Sequence, residues 1–86
     1  MTHVETFTAV YIRELARVVE ERPDEYPWAR AGKSVDSVAA KMVPAFKAGE
    51  ANKDGLACKR TCKALGIPYT YAGIKAYLNE EVGGLL

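Results

Sequence analysis

The chain has 86 residues, 49% of them hydrophobic and 27% charged, with a formal net charge of +1. That is the balance of one small globular domain and excludes a disordered polyelectrolyte. A chain this short buries roughly 60% of its extended surface, enough for one modest core and too little for a deeply walled substrate cavity.

The charge is unevenly spread. Residues 1–36 carry five basic and seven acidic side chains, whereas residues 37–86 carry seven basic and four acidic. Such a dipolar chain suits a specific binding surface better than general polyanion binding, since dedicated nucleic-acid modules are more basic overall.

Taken in order, the elements read as helices. Thr2 and Glu5 have capping-box spacing. Behind them Val4, Phe7, Tyr11, Leu15 and Val18 recur every three or four residues, the signature of one helical face. This first helix is expected from residue 2 to about 19–22, where Pro23 stops it. Residues 23–33 contain two prolines and a glycine without a period, and so form a loop, with room for a helical turn after Pro27.

Ser34 is a suitable N-cap for a second helix over 34–47, with Val35, Val38, Ala39, Met42 and Phe46 inward and Asp36 favoured in the first turn. Pro44 should kink it or end it near Val43, and Gly49 is a natural stop. Asn52 or Asp54 caps a third helix over 54–65. Its expected inward set is Leu56, Cys58, Thr61, Cys62 and Leu65, and Gly66 follows as a C-terminal glycine. Thr70 caps a fourth helix over 70–81, carrying Tyr71, Ile74, Tyr77 and Leu78 and ending before Gly83-Gly84. No stretch alternates long enough to be a strand. The expectation is a single all-α domain over 1–86, a bundle of about four helices. Its core should hold Phe7, Tyr11, Leu15, Val38, Met42, Leu65, Ile74 and Leu78.

Candidate chemistry is sparse. Cys58 and Cys62 face one side of a helix, but a zinc site needs about four ligands. His3, the one histidine, is far away in sequence, so the thiols read as small core residues. The carboxylate pairs Glu20-Glu21, Asp24-Glu25 and Glu80-Glu81 are sequence neighbours, which point about 100° apart on a helix and form no dyad. The glycines have no phosphate-loop spacing. No nucleophile–base pair stands out, so no enzyme, metal or cofactor is expected.

Two surfaces remain as binding candidates. Lys53, Lys59, Arg60, Lys63 and Lys75 supply a basic face, and Tyr26, Trp28, Tyr69 and Tyr71 are aromatic anchors outside the core stripes. The stretch Leu56–Leu78 also has a helix–turn–helix outline. Its second helix, however, has no Arg, Asn or Gln before Asn79 to read base edges.

Residues 52–78 read NKDGLACKRTCKALGIPYTYAGIKAYL. The TCKALGI core, the Thr-Tyr pair and the Ile-x-x-Tyr-Leu ending resemble short helical proteins of tailed phages and prophages, over 27 of the 86 residues. The resemblance carries no assigned chemistry. It implies a small accessory protein that binds host machinery, most naturally a host or counter-defence target.

The leading expectation is therefore stoichiometric binding of a host protein or protein complex, with inhibition as the outcome. A helix–turn–helix-like DNA-binding regulator is the alternative, and a self-assembling or ligand-sequestering protein the third. Residues 1–5 lack the basic start and apolar run of a signal peptide, and no apolar run spans a bilayer. A cytoplasmic protein without a membrane partner is expected.

Overall fold

A computed structural model describes residues 6–49 and 55–85. Among them the chain is all-α, forming α1 (Phe7–Glu21), α2 (Pro27–Arg30), α3 (Val35–Ala48), α4 (Leu56–Leu65) and α5 (Tyr71–Leu85). A 3-10 turn at Pro23–Glu25 lies between α1 and α2.

The caps account for most of the boundaries. Thr6 is extended (φ −72°, ψ 151°), and its Oγ1 accepts from the Ala9 N–H at 3.1 Å. This places the start of α1 at Phe7 rather than residue 2. Thr2, Val4 and Glu5, which suggested the earlier start, lie outside the described residues. The helix stops at Glu21 ahead of Pro23, as expected.

The proline-rich segment is more ordered than a loop. Pro23 and Pro27 each open a helical turn, a position where the missing N–H costs nothing and φ is already set. The turn after Pro27 was anticipated and the one after Pro23 was not. Arg30 Nη2 donates to Asp24 Oδ1 at 2.6 Å and ties the two turns together.

Ser34 caps α3 as expected, its Oγ accepting from the Ser37 N–H at 3.1 Å. Pro44 does not end this helix, which runs on to Ala48. Both Pro44 and Ala40, whose carbonyl loses its donor, lie on the exposed side. Water can therefore satisfy that carbonyl. Gly49 terminates α3 in the left-handed region at φ 74°.

Gly55, with no side chain to accept a hydrogen bond, occupies the N-cap of α4; Asn52 and Asp54 lie outside the described residues. Gly66 (φ 70°) closes α4, and the Ile67 N–H donates to the Cys62 carbonyl at 3.0 Å, a Schellman arrangement. Thr70 Oγ1 accepts from the Gly73 N–H at 2.9 Å and starts α5. A Cβ at Gly73 would fall 2.7 Å from the Pro68 carbonyl oxygen, so the tight entry into α5 requires glycine. α5 does not end near Glu81 but continues through Gly83 and Gly84 to Leu85. Glycine weakens a helix by about 1 kcal/mol relative to alanine without breaking it.

Packing follows side-chain size. α4 turns Ala57, Cys58, Thr61 and Cys62 inward, all buried, and makes its main contact with α1. Small side chains let the helices approach closely. α3 meets α1 through rings: Phe46 lies edge-on to Phe7 (6.0 Å between centroids) and to Tyr11 (5.4 Å). α5 packs chiefly on α3 through Ile74 and Leu78, both buried.

Phe7, Tyr11, Leu15, Ile74 and Leu78 are buried as expected. Val38, Met42 and Leu65 are only half-buried. For Val38 and Met42 the reason is a pocket that they line. Among the described residues no helix is long and apolar enough to cross a membrane.

Candidate functional site

The pocket opens where α1, α2, α3 and the start of α4 converge. Its volume is about 210 Å³. Tyr11 and Leu15 come from α1, Val38, Met42 and Phe46 from α3, and Ala57 and Cys58 from α4, while Tyr26 and Trp28 cover one side. Among the described residues, none that lines it carries a charge.

Tyr26 and Trp28 meet in a T-shaped contact at 5.9 Å. Both are half-buried against the core, so each serves as a core cap and presents an outer surface. The two proline-started turns and the Arg30–Asp24 pair hold them in place. Tyr69 is half-buried against the core and Tyr71 is 45% exposed, but neither lines the pocket. The four aromatics expected as anchors thus separate into one pair at the pocket and two residues at the start of α5.

Tyr11 carries the more deeply buried of the two phenols that line the pocket. It is 5% exposed, with its ring stacked on Phe7 at 6.0 Å and edge-on to Phe46. Its hydroxyl makes no hydrogen bond with any described residue, yet it is not sealed from solvent. Burial, aided by the nearby Cys58 thiol and Tyr26 phenol, raises its pKa to about 12. Tyr26 is shifted upward as well, first by burial and then by Glu25.

The basic face is narrower than its sequence. Arg60 donates from Nη1 and Nη2 to both carboxylate oxygens of Glu21, each at 2.9 Å. This two-point pair links α4 to the end of α1. The hydrogen bond lowers the pKa of Glu21 and raises that of Arg60. Lys59, Lys63 and Lys75 are exposed and make no ion pair with described residues. Lys53 lies outside the described residues. The helix–turn–helix outline is also loosened, because α5 takes α3 rather than α4 as its main partner.

Cys58 and Cys62 are buried, at 2% and 1% exposure, in keeping with small core residues. No group of three or more potential metal ligands occurs among the described residues, and His3 lies outside them. Two polar residues are buried: Thr61, expected on the inward face of α4, and Glu14, which the sequence reading missed. Thr61 satisfies its hydroxyl by donating to the Ala57 carbonyl at 2.7 Å, the usual i−4 bond of a helical threonine. Glu14 is buried beside Arg13 (3.5 Å) and Arg17 (3.6 Å). Its signal was there to be found: a carboxylate next to Leu15 with an arginine one residue before and another three after. Comparison with family models, curated proteins and solved structures gives no match for this chain.

Proposed function

We propose that this protein acts by stoichiometric binding to another protein rather than by catalysis. In the phage setting implied by residues 52–78, the partner is a host or defence component in the cytoplasm, which binding inhibits. The observation that carries this reading is the Tyr26–Trp28 pair, two large rings held on short ordered turns with part of their surface exposed. Rigid aromatics lose little entropy on binding, and Trp and Tyr are over-represented among the residues that dominate interface energies.

The test is affinity capture from bacterial host lysate with and without nuclease, followed by titration of the purified partner. Nuclease-resistant 1:1 capture is expected. Trp28→Ala should weaken that complex by about 2 kcal/mol, the scale of an interface anchor. An affinity unchanged by Trp28→Ala would remove the anchor, and capture lost on nuclease treatment would remove the protein partner.

Duplex DNA is the second reading, favoured by the exposed Lys59, Lys63 and Lys75. With Arg60 held by Glu21, three lysines would give a log–log salt slope of about −3. Nanomolar duplex affinity that survives Trp28→Ala and collapses with Lys63→Glu would put this reading first.

A further inference from the structure

We propose that the pocket beneath Tyr26 and Trp28 is a binding site for a small, neutral, mainly apolar molecule whose single carbonyl-type acceptor takes the hydrogen bond of the Tyr11 hydroxyl. This goes beyond the protein-binding reading, which uses the outer surface of Trp28 and not the space beneath it.

Size, lining and the Tyr11 donor define the ligand. A pocket of about 210 Å³ exceeds the roughly 150 Å³ cavity that suffices for benzene. It has room for one ring with a short substituent. Leu15, Val38, Met42 and Phe46 offer apolar contact. The described lining residues are all uncharged, which disfavours an ionic ligand, since it would lose its hydration without gaining a counter-charge from them.

Tyr11 supplies the polar end. Its ring is fixed by Phe7 and Phe46, so the hydroxyl cannot swing away to find another partner. The hydroxyl reaches solvent and makes no hydrogen bond with a described residue, so its proton is available to an acceptor that enters the pocket. Because the phenol ionises only near pH 12, it is a hydrogen-bond donor at every physiological pH. An acceptor without a proton of its own, such as a ketone or aldehyde oxygen, therefore fits it best.

The experiment uses the full chain and two probes of nearly equal shape, acetophenone and ethylbenzene, followed by amide NMR titration. Acetophenone should give saturable shifts centred on Tyr11, Val38 and Cys58. Tyr11→Phe, which keeps the ring and deletes the donor, should weaken acetophenone about three- to tenfold, the worth of one hydrogen bond. The same change should leave ethylbenzene within about twofold. Val38→Trp, which fills the pocket, should abolish the shifts of both probes while the rest of the spectrum stays folded. The proposal is overturned by absent saturation at about 10 mM, by shifts centred away from the pocket, or by equal loss of both probes in Tyr11→Phe. None of these failures touches the protein-binding reading, which stands or falls on the captured partner and Trp28→Ala.

Discussion

The two main contacts of α1 are built differently. Against α4 it meets Ala57, Cys58, Thr61 and Cys62, all small and buried; Ala57 and Cys58 also edge the pocket, and beyond them the contact is shut by the Arg60–Glu21 pair. Against α3 it meets Phe46 through the rings of Phe7 and Tyr11, and beside those rings lies the pocket roofed by Tyr26 and Trp28. Small side chains let two backbones approach until little space is left. Large flat rings hold them apart, and edge-on contacts cannot fill all the volume they create. One helix thus carries a closed face and an open one, and the open face holds the Tyr11 hydroxyl.

The largest expected effect removes the ring that spaces the open side. Phe46 is 2% exposed and touches both Phe7 and Tyr11. Phe46→Ala should cost about 3–5 kcal/mol. A domain of this size has a total stability of only about 5–10 kcal/mol, so urea unfolding should show the variant close to its midpoint without denaturant. A loss below about 1 kcal/mol would mean that the ring cluster does not hold α3 on α1.

The contrast itself is tested by adding volume to each side. Cys62 lies at 1% exposure on the closed face, so Cys62→Leu should cost about 1–3 kcal/mol through overpacking. Val38 lines the pocket, and Val38→Leu should be neutral or slightly stabilising, by up to about 0.8 kcal/mol for the extra methylene. Equal penalties for the two variants, read from denaturant midpoints, would erase the difference between the faces.

Much of this arrangement is legible in the sequence. The helical stripes through Phe7, Tyr11 and Leu15 and through Ala39 and Phe46 are periodic, and Ser34, Gly49, Gly66 and Thr70 mark boundaries through local hydrogen bonding and backbone freedom. These signals act within a few residues, which is why they can be read directly. The pocket is different. It depends on how α1, α3 and α4 meet, and periodicity places Val38 and Met42 on an inward face without showing that the face is incompletely filled. The Glu21–Arg60 pair joins residues 39 apart, so Arg60 looked available for a partner until its fold neighbour was known. The course of α3 past Pro44 likewise turns on which side of the helix faces water.

A smaller effect follows from the pKa of Tyr11, raised from 10.0 to about 12 by burial on the open side. The folded state therefore holds this proton more tightly than the unfolded state. The corresponding stability is fully present below pH 10 and is lost as pH rises toward 12. At pH 11 the loss is about 1.4 kcal/mol, one pKa unit's worth of free energy. Comparing urea unfolding at pH 9 and pH 11 should show this step in the wild-type chain and not in Tyr11→Phe. An equal alkaline loss in both would assign the step to other groups.

The smallest effect belongs to the pair that shuts the closed face. Glu21 and Arg60 are at the surface, where water and salt screen their attraction, so the packing of Ala57, Cys58 and Cys62 rather than the ion pair holds α4 on α1. The pair should still leave a signature of definite sign. Its hydrogen bond to Arg60 lowers the pKa of Glu21 below the ordinary 4.5, so its contribution is present above that pH and disappears as pH falls through the lowered value. Glu21→Gln should reduce the melting temperature slightly at pH 7 and converge on the wild-type value as pH falls through the lowered pKa of Glu21, below which the wild-type carboxylate is also neutral. Arg60→Lys should give an intermediate result, because an ammonium cannot make the same two-point contact with both carboxylate oxygens. Sodium chloride at about 1 M should shrink the pH 7 difference, since it shortens the screening length to about 3 Å. A gap between wild type and Glu21→Gln that stays unchanged across the whole acid titration of the folded chain would show that the substitution acts through something other than the charge on Glu21.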